Sequence, residues 1–212
     1  ELVQRGVAGA FIGALKQALR DFYGEDASAS RDYGRIVNAQ HFARLVGYLT
    51  DGQIAFGGEQ KAAELYLAPT VLTGVSPASA VMQDEIFGPI LPVLEFDQLE
   101  EVFALLRGRP TPLALYAFTR DTGIEARILT QIRSGGACVN DVVSHILAPE
   151  LPFGGLGESG LGAYHGRAGF DAFSHQRAIL RRATWLDLPV RYPPQRISLA
   201  GLKRAMRFLL RG

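Results

Sequence analysis

Apolar side chains near the start recur at spacings of three and four. Val7, Phe11, Leu15, Ala18 and Phe22 share one face, with Lys16, Arg20 and Asp21 off it. This predicts an amphipathic helix closed by Gly24, because glycine enters the left-handed conformation without a Cβ clash. A second helix is predicted over 39–48, with Phe42, Leu45 and Val46 inward and an end near Asp51-Gly52. The pattern then shortens to strand length at 53–56 and 65–72, with Gly57-Gly58 as the turn between them.

From position 90 the elements alternate. Residues 90–96, 113–118 and 136–139 read as strands, and 99–106 and 123–132 as helices. Strands alternating with helices over short links predict an α/β fold, a parallel sheet flanked by helices. Ligands of open α/β sheets gather beyond the carboxyl ends of the strands, which makes Asn140 and Asp141 site candidates. Residues 151–166 are too glycine-rich for an element interior, and a short helix follows over 165–174. Residues 176–182 read as a strand, and Arg191-Tyr192-Pro193-Pro194 breaks regular structure. Leu199, Leu202, Ala205, Met206 and Leu209 then form the apolar face of a terminal helix, opposite Lys203, Arg204, Arg207 and Arg211.

Composition narrows the class. The chain has 212 residues, 48% hydrophobic and 20% charged, as expected of one globular domain with an appendage. The single cysteine, Cys138, excludes an internal disulfide and a cysteine-rich zinc site, so a cytoplasmic setting is expected. No apolar run approaches the ~20 residues of a spanning helix. Residue 1 is Glu and the first methionine is Met82, so the start is read as a cut. Arg5 followed by an apolar run has the outline of a signal peptide, but the run continues at helical spacing without a cleavage site. The net charge of +1 hides an asymmetry: residues 177–212 hold nine Arg or Lys and one acid, Asp187. Such a tail is either a solvated face or a patch that meets a membrane surface or an acidic partner; nucleic-acid binding is not expected.

Several motifs can be weighed by chemistry. Gly155-Leu156-Gly157-Glu158-Ser159-Gly160 matches the glycine pattern of dinucleotide folds, but no strand precedes it and no βαβ unit follows. It reads as a tight turn, or as a loop that places Phe153 against a cleft. Cys138 lies in an apolar strand with no histidine at a telling spacing, so it is read as a core residue and not as a nucleophile. His41, His145, His165 and His175 show no metal-ligand spacing, and no metal is expected. Glu85, before a Gly-Pro stop, is either a capping acid or a carboxylate that accepts hydrogen bonds from two sugar hydroxyls, with Phe87 packed on a heterocycle.

The segments Asp84-Glu85-Ile86-Phe87-Gly88-Pro89-Ile90, Val139-Asn140-Asp141 and Leu151-Pro152-Phe153-Gly154-Gly155 occur in an order that resembles the C-terminal half of an aldehyde dehydrogenase. Gly162-Ala163-Tyr164-His165-Gly166, followed by Gly169-Phe170-Asp171-Ala172-Phe173-Ser174-His175-Gln176, is similar to the class 3 branch in particular. The resemblance implies NAD(P)-dependent oxidation of an aldehyde to a carboxylic acid. A cysteine attacks the carbonyl, a hydride passes to the nicotinamide, and water hydrolyses the resulting thioester. It also implies that Glu85 grips the nicotinamide ribose, that Phe87 lies beside the nicotinamide, and that Asn140 supports the active site. Ile146, Leu147, Phe153 and His165 match the surroundings of an aldehyde pocket suited to aromatic or medium- to long-chain aliphatic aldehydes.

The family's nucleophile, base and adenosine site fall upstream of Glu1, so this chain alone is expected to be inactive and to carry no catalytic residue of its own. Residues 1–172 are read as a partial catalytic domain, 173–195 as an oligomerisation strand and arm that implies a homodimer, and 196–212 as a basic amphipathic helix. The alternatives are a non-catalytic product acting through its dimer strand, and a module that binds a membrane surface through the tail.

Overall fold

The computed structural model describes residues 1–185, 187, 192–194 and 197–209; the side chain of Leu209 is outside that description. Strand β1 (Leu2–Gln4) runs directly into helix α1 (Arg5–Tyr23). Gly24 closes α1 at φ 80°, and its amide donates to the Arg20 carbonyl at 2.8 Å. Helix α2 (Ala39–Tyr48) has the predicted bounds and is capped by Asn38, whose side chain accepts from the His41 amide.

Strand β2 (Gln53–Phe56) precedes a small antiparallel pair, β3 (Gln60–Lys61) and β4 (Tyr66–Leu67), and then β5 (Thr70–Thr73). The predicted strand over 65–72 is thus two pieces, because Pro69 has no amide to donate to a ladder. Similarly, the apolar run over 90–96 divides at Val93 into β6 (Ile90–Pro92) and β7 (Leu94–Phe96). Helix α3 (Leu99–Arg107) follows, then β8 (Ala114–Ala117), α4 (Thr122–Gln131) and β9 (Gly136–Val139). Asp121 caps α4 by accepting from the amides of Gly123 and Ile124.

The fold is α/β with parallel ladders between helices, as expected, but the ladders form separate pieces. β5 pairs in parallel with β6 and antiparallel with β2, β1 pairs in parallel with β7, and β8 with β9. No ladder joins β7 to β8 among the described residues; between them lies a cleft of about 670 Å³ lined by Leu94, Phe96, Phe103, Leu115 and Ile128.

Within the β2–β5–β6 sheet, β5 and β6 are covered on both faces. Leu72 and Ile90 pack with Phe42, Leu45 and Tyr48 of α2, while Val71 and Val93 pack with Val3 and Ala8 and against Phe11, Ile12 and Leu15. The inward face of α1 is therefore Ala8, Phe11, Ile12 and Leu15, a correction to the expected set. Val7 and Phe22 are exposed at 53% and 69%. Both candidate faces share Phe11 and Leu15; entry straight from β1 sets the helix phase, and the small Ala8 lets the helix approach the sheet.

Past α5 (Ser144–Leu147) and α6 (Gly166–Ala172), the expected strand over 176–182 forms no ladder. A strand needs a neighbouring backbone, and the described residues offer none there; Ile179 and Leu180 stand exposed. Part of the 173–195 arm, including Arg191 of the expected break, lies outside the described residues. The terminal helix, α7 (Leu199–Leu209), is present, with Leu199, Leu202 and Met206 exposed. Among the described residues no helix is long and apolar enough to cross a membrane.

Candidate functional site

Two groups of site residues emerge. The first is the loop before β6. Glu85 is exposed, and its carboxylate has no hydrogen bond or ion pair among the described residues. Phe87 follows at φ 46°, a left-handed conformation that disfavours a bulky residue, with its ring 72% exposed. The backbone of this loop is tied down. Arg44 of α2 donates to the Ile86 carbonyl at 2.7 Å and the Glu85 carbonyl at 3.4 Å, and His41 Nε2 lies 2.7 Å from the Phe87 carbonyl. Leu45, fully buried, lies beneath Gly88, where a Cβ would come within 2.5 Å of its Cδ1. The loop thus presents an unpaired carboxylate and an aromatic face from a fixed backbone.

The second group lies at the carboxyl ends of β8 and β9. Asn140, at φ 57°, accepts from the Thr119 amide through Oδ1 and donates to the Thr119 carbonyl through Nδ2, each at 2.9 Å. Its amide is used in joining the two strand ends, so it shapes the loop that follows. The Ser144 hydroxyl and the Val142 amide hold the Asp141 carboxyl below its ordinary range. Val143, at φ 64°, reverses the chain into α5, an uncommon conformation for a β-branched residue.

That reversal returns His145 onto β9. His145 Nδ1 lies 3.2 Å from Cys138 Sγ, and its buried Nε2 has no partner among the described residues. The sequence showed no histidine paired with Cys138; the structure corrects this, because the bend at Val143 closes a separation that regular structure would keep open. Around the pair stands an aromatic cluster. Phe153 stacks on His165 at 5.8 Å and 24°, and Tyr116, Tyr164 and His145 meet neighbouring rings edge-on or tilted. Ile146 is half-buried, whereas Leu147 is 77% exposed.

The structure therefore brings Phe153 and His165 together, with Asn140, Ile146 and Leu147 on the adjoining loop and helix. Glu85 and Phe87 form a separate group, and no hydrogen bond links the two among the described residues. The larger cavities lie elsewhere, lined by β1, β7, α3 and β8. Nothing in the sequence assigns a site role to His41, Arg44 or His145 beyond the absence of metal-ligand spacing; the one legible sign is the i, i+3 spacing of His41 and Arg44, which places them on one helix face. Among the described residues no group of three or more His, Cys, Asp or Glu could hold a metal.

Parallel ladders between helices, with a Glu-x-Phe loop at the edge of the core, define an α/β architecture. The chain belongs to the aldehyde dehydrogenase family, whose model matches residues 1–179. It is 46% identical over 187 residues to a Bos taurus protein named "Aldehyde dehydrogenase, dimeric NADP-preferring", covering 87% of this chain and 78% of that one. It is also 46% identical over 195 residues to Mus musculus "Aldehyde dehydrogenase family 3 member A2", covering 91% of this chain and 40% of that protein. The structure titled "Substrate bound state of Staphylococcus Aureus AldH" matches with a TM-score of 0.85 at 42% identity, over 98% of this chain and 45% of its own. The family 3 relatives agree with the class 3 resemblance. The chain spans less than half of the mouse and staphylococcal proteins.

Proposed function

We propose that this chain is part of an NAD(P)-dependent aldehyde dehydrogenase that oxidises aromatic or medium- to long-chain aliphatic aldehydes, and that it is inert alone. The observation that carries the reading is the unpaired Glu85 carboxylate beside the exposed ring of Phe87, on a loop whose backbone is already satisfied. These residues fit a nicotinamide nucleotide. A carboxylate accepts from two vicinal ribose hydroxyls, and an aromatic face packs against the heterocycle. When bound, the nicotinamide supplies the hydride acceptor. Phe153, Ile146, Leu147 and His165 contribute to the aldehyde pocket, and Asn140 supports it by fixing the start of the loop that leads to Ile146 and Leu147. Cys138 is not the nucleophile in this reading.

The relatives named dimeric favour a homodimer, with 176–182 pairing against a second copy, and a cytoplasmic enzyme is proposed. The test compares the full-length protein with residues 1–212 in aldehyde-dependent NADH or NADPH formation. Turnover is expected only from the full-length protein. Glu85→Gln should raise its nucleotide KM about tenfold, the loss of charge-assisted hydrogen bonds. A full-length protein that oxidises no aldehyde refutes the reading.

One observation favours a second role for the tail. Leu199, Leu202 and Met206 of α7 are exposed while Lys203, Arg204 and Arg207 flank them, the pattern of a helix lying on an anionic membrane. Vesicles containing anionic lipid should then retain the protein at low salt, and deletion of 198–212 should abolish the retention.

A further inference from the structure

Helix α2 presents more than a core face. His41, Arg44 and Tyr48 fall three and four residues apart, so they line one side of the helix. Arg44 is spent on its neighbours: it donates to the carbonyls of Ile86 and Glu85 and to the Tyr48 hydroxyl at 2.7 Å, with its guanidinium 5.2 Å from the Tyr48 ring centroid. His41 completes the set at the Phe87 carbonyl. A carbonyl only accepts, so the imidazole proton belongs on Nε2. That leaves Nδ1 as an acceptor, and it faces the guanidinium, which only donates, at 3.1 Å. The arrangement closes with neutral His41 and charged Arg44. Three successive carbonyls, those of Glu85, Ile86 and Phe87, are thereby bound to one rigid helix.

The binding has work to do. Phe87 sits in a conformation that a free chain leaves, and nothing else covers its ring. The ties reach only the backbone, so both side chains stay available to a ligand. Every Arg44 group has a protein partner, which argues against Arg44 itself meeting a phosphate.

We infer that His41 and Arg44 are positioning residues of the nucleotide site, holding the backbone of 85–87 so that the Glu85 carboxylate and the Phe87 ring meet the nicotinamide riboside without first being ordered. The inference rests on the reading of Glu85 and Phe87 as nucleotide contacts. Preorganisation of this kind lowers the cost of binding without touching the ligand.

The test uses the full-length enzyme with NAD⁺ as the probe. Arg44→Met keeps the apolar stem and removes the donors. His41→Leu removes both ring nitrogens, whereas in His41→Gln one amide can still donate to the Phe87 carbonyl and accept from Arg44. Arg44→Met and His41→Leu should each raise the KM for NAD⁺ about tenfold, with kcat held within about threefold, while the lost hydrogen bonds lower the melting temperature by a few degrees. His41→Gln should restore most of the affinity. Combined with Glu85→Gln, Arg44→Met should add less than its single effect, since both act through one carboxylate.

A wild-type KM for Arg44→Met, full additivity with Glu85→Gln, or a fall in kcat and melting temperature that His41→Gln fails to rescue would each overturn the inference. A second readout needs no nucleotide: chymotrypsin should cut after Phe87 several times faster in Arg44→Met than in wild type. If Glu85→Gln leaves the KM unchanged, the nucleotide reading of Glu85 falls and the positioning role falls with it. Cleavage then decides only whether the loop is anchored by α2.

Discussion

Gly154→Ala tests whether the glycine loop exists to bring two backbones together. Phe153 and Tyr164 exchange amide-to-carbonyl hydrogen bonds at 2.8 and 2.9 Å, closing a hairpin with an inner bridge between Gly157 and Gly160. A Cβ on Gly154 would stand 2.0 Å from the Gly162 carbonyl oxygen and 2.7 Å from the Ala163 Cα, both main-chain atoms that cannot rotate aside. Ordinary contact lies near 3.5 Å, so the strands must part by about 1.5 Å. That breaks both bridging hydrogen bonds, at about 1 kcal/mol each. It also draws Phe153 off His165 and Tyr164, at about 1 kcal/mol more. The sum is about 3 kcal/mol, a fall of about 6–12 °C in melting temperature for a chain of this size. Gly162→Ala is the comparison: φ there is 74° but nothing lies within 4 Å of the added carbon. Its cost is the left-handed penalty alone, about 1–2 kcal/mol. Thermal unfolding followed by circular dichroism ranks the two. If Gly154→Ala melts at or above Gly162→Ala, close approach is not what requires the glycine, and the argument is refuted.

Three other outcomes are expected. Asn140→Asp replaces the Nδ2 donor with an oxygen facing the Thr119 carbonyl, so the urea midpoint at neutral pH should correspond to a loss of about 1 kcal/mol; an unchanged midpoint counts against the strand-end role. Burial raises the Tyr33 phenol above its ordinary 10.0, and its hydroxyl donates to the Leu67 carbonyl at 2.7 Å. Stability from the neutral phenol is therefore complete below pH 10.0 and lost as pH rises further, so Tyr33→Phe should flatten the alkaline fall in unfolding free energy. Cys138→Ala should leave aldehyde oxidation by the full-length protein within about threefold of wild type, a margin smaller than the loss of a nucleophile; abolished turnover would reverse the assignment.

Local chemistry was legible where one segment carries its own instructions. Helix α2 has apolar positions at helical spacing and a stop signal nearby at Asp51-Gly52, and its bounds match. Gly24 acts as the terminus the sequence predicts, whereas the capping role of Asp121 appears only in the structure. The Glu85 loop was recognised from its residues, and the structure adds that its carboxylate is unpaired among the described residues. The face of α1 was not legible, because two adjacent apolar stripes share Phe11 and Leu15 and only docking against Val71 and Val93 selects between them.

The same division holds at the site. The amino-acid order alone carried the family resemblance and most of the run of elements, since these depend on residue type and on neighbours within a few positions. Only the tertiary structure decided that His145 meets Cys138, that Asn140 spends its amide on Thr119, and that His41 and Arg44 hold the loop of Glu85 and Phe87. Each of these contacts joins segments through a bend or a docked helix. Spacing along the chain does not encode such distances; they follow from how the pieces pack.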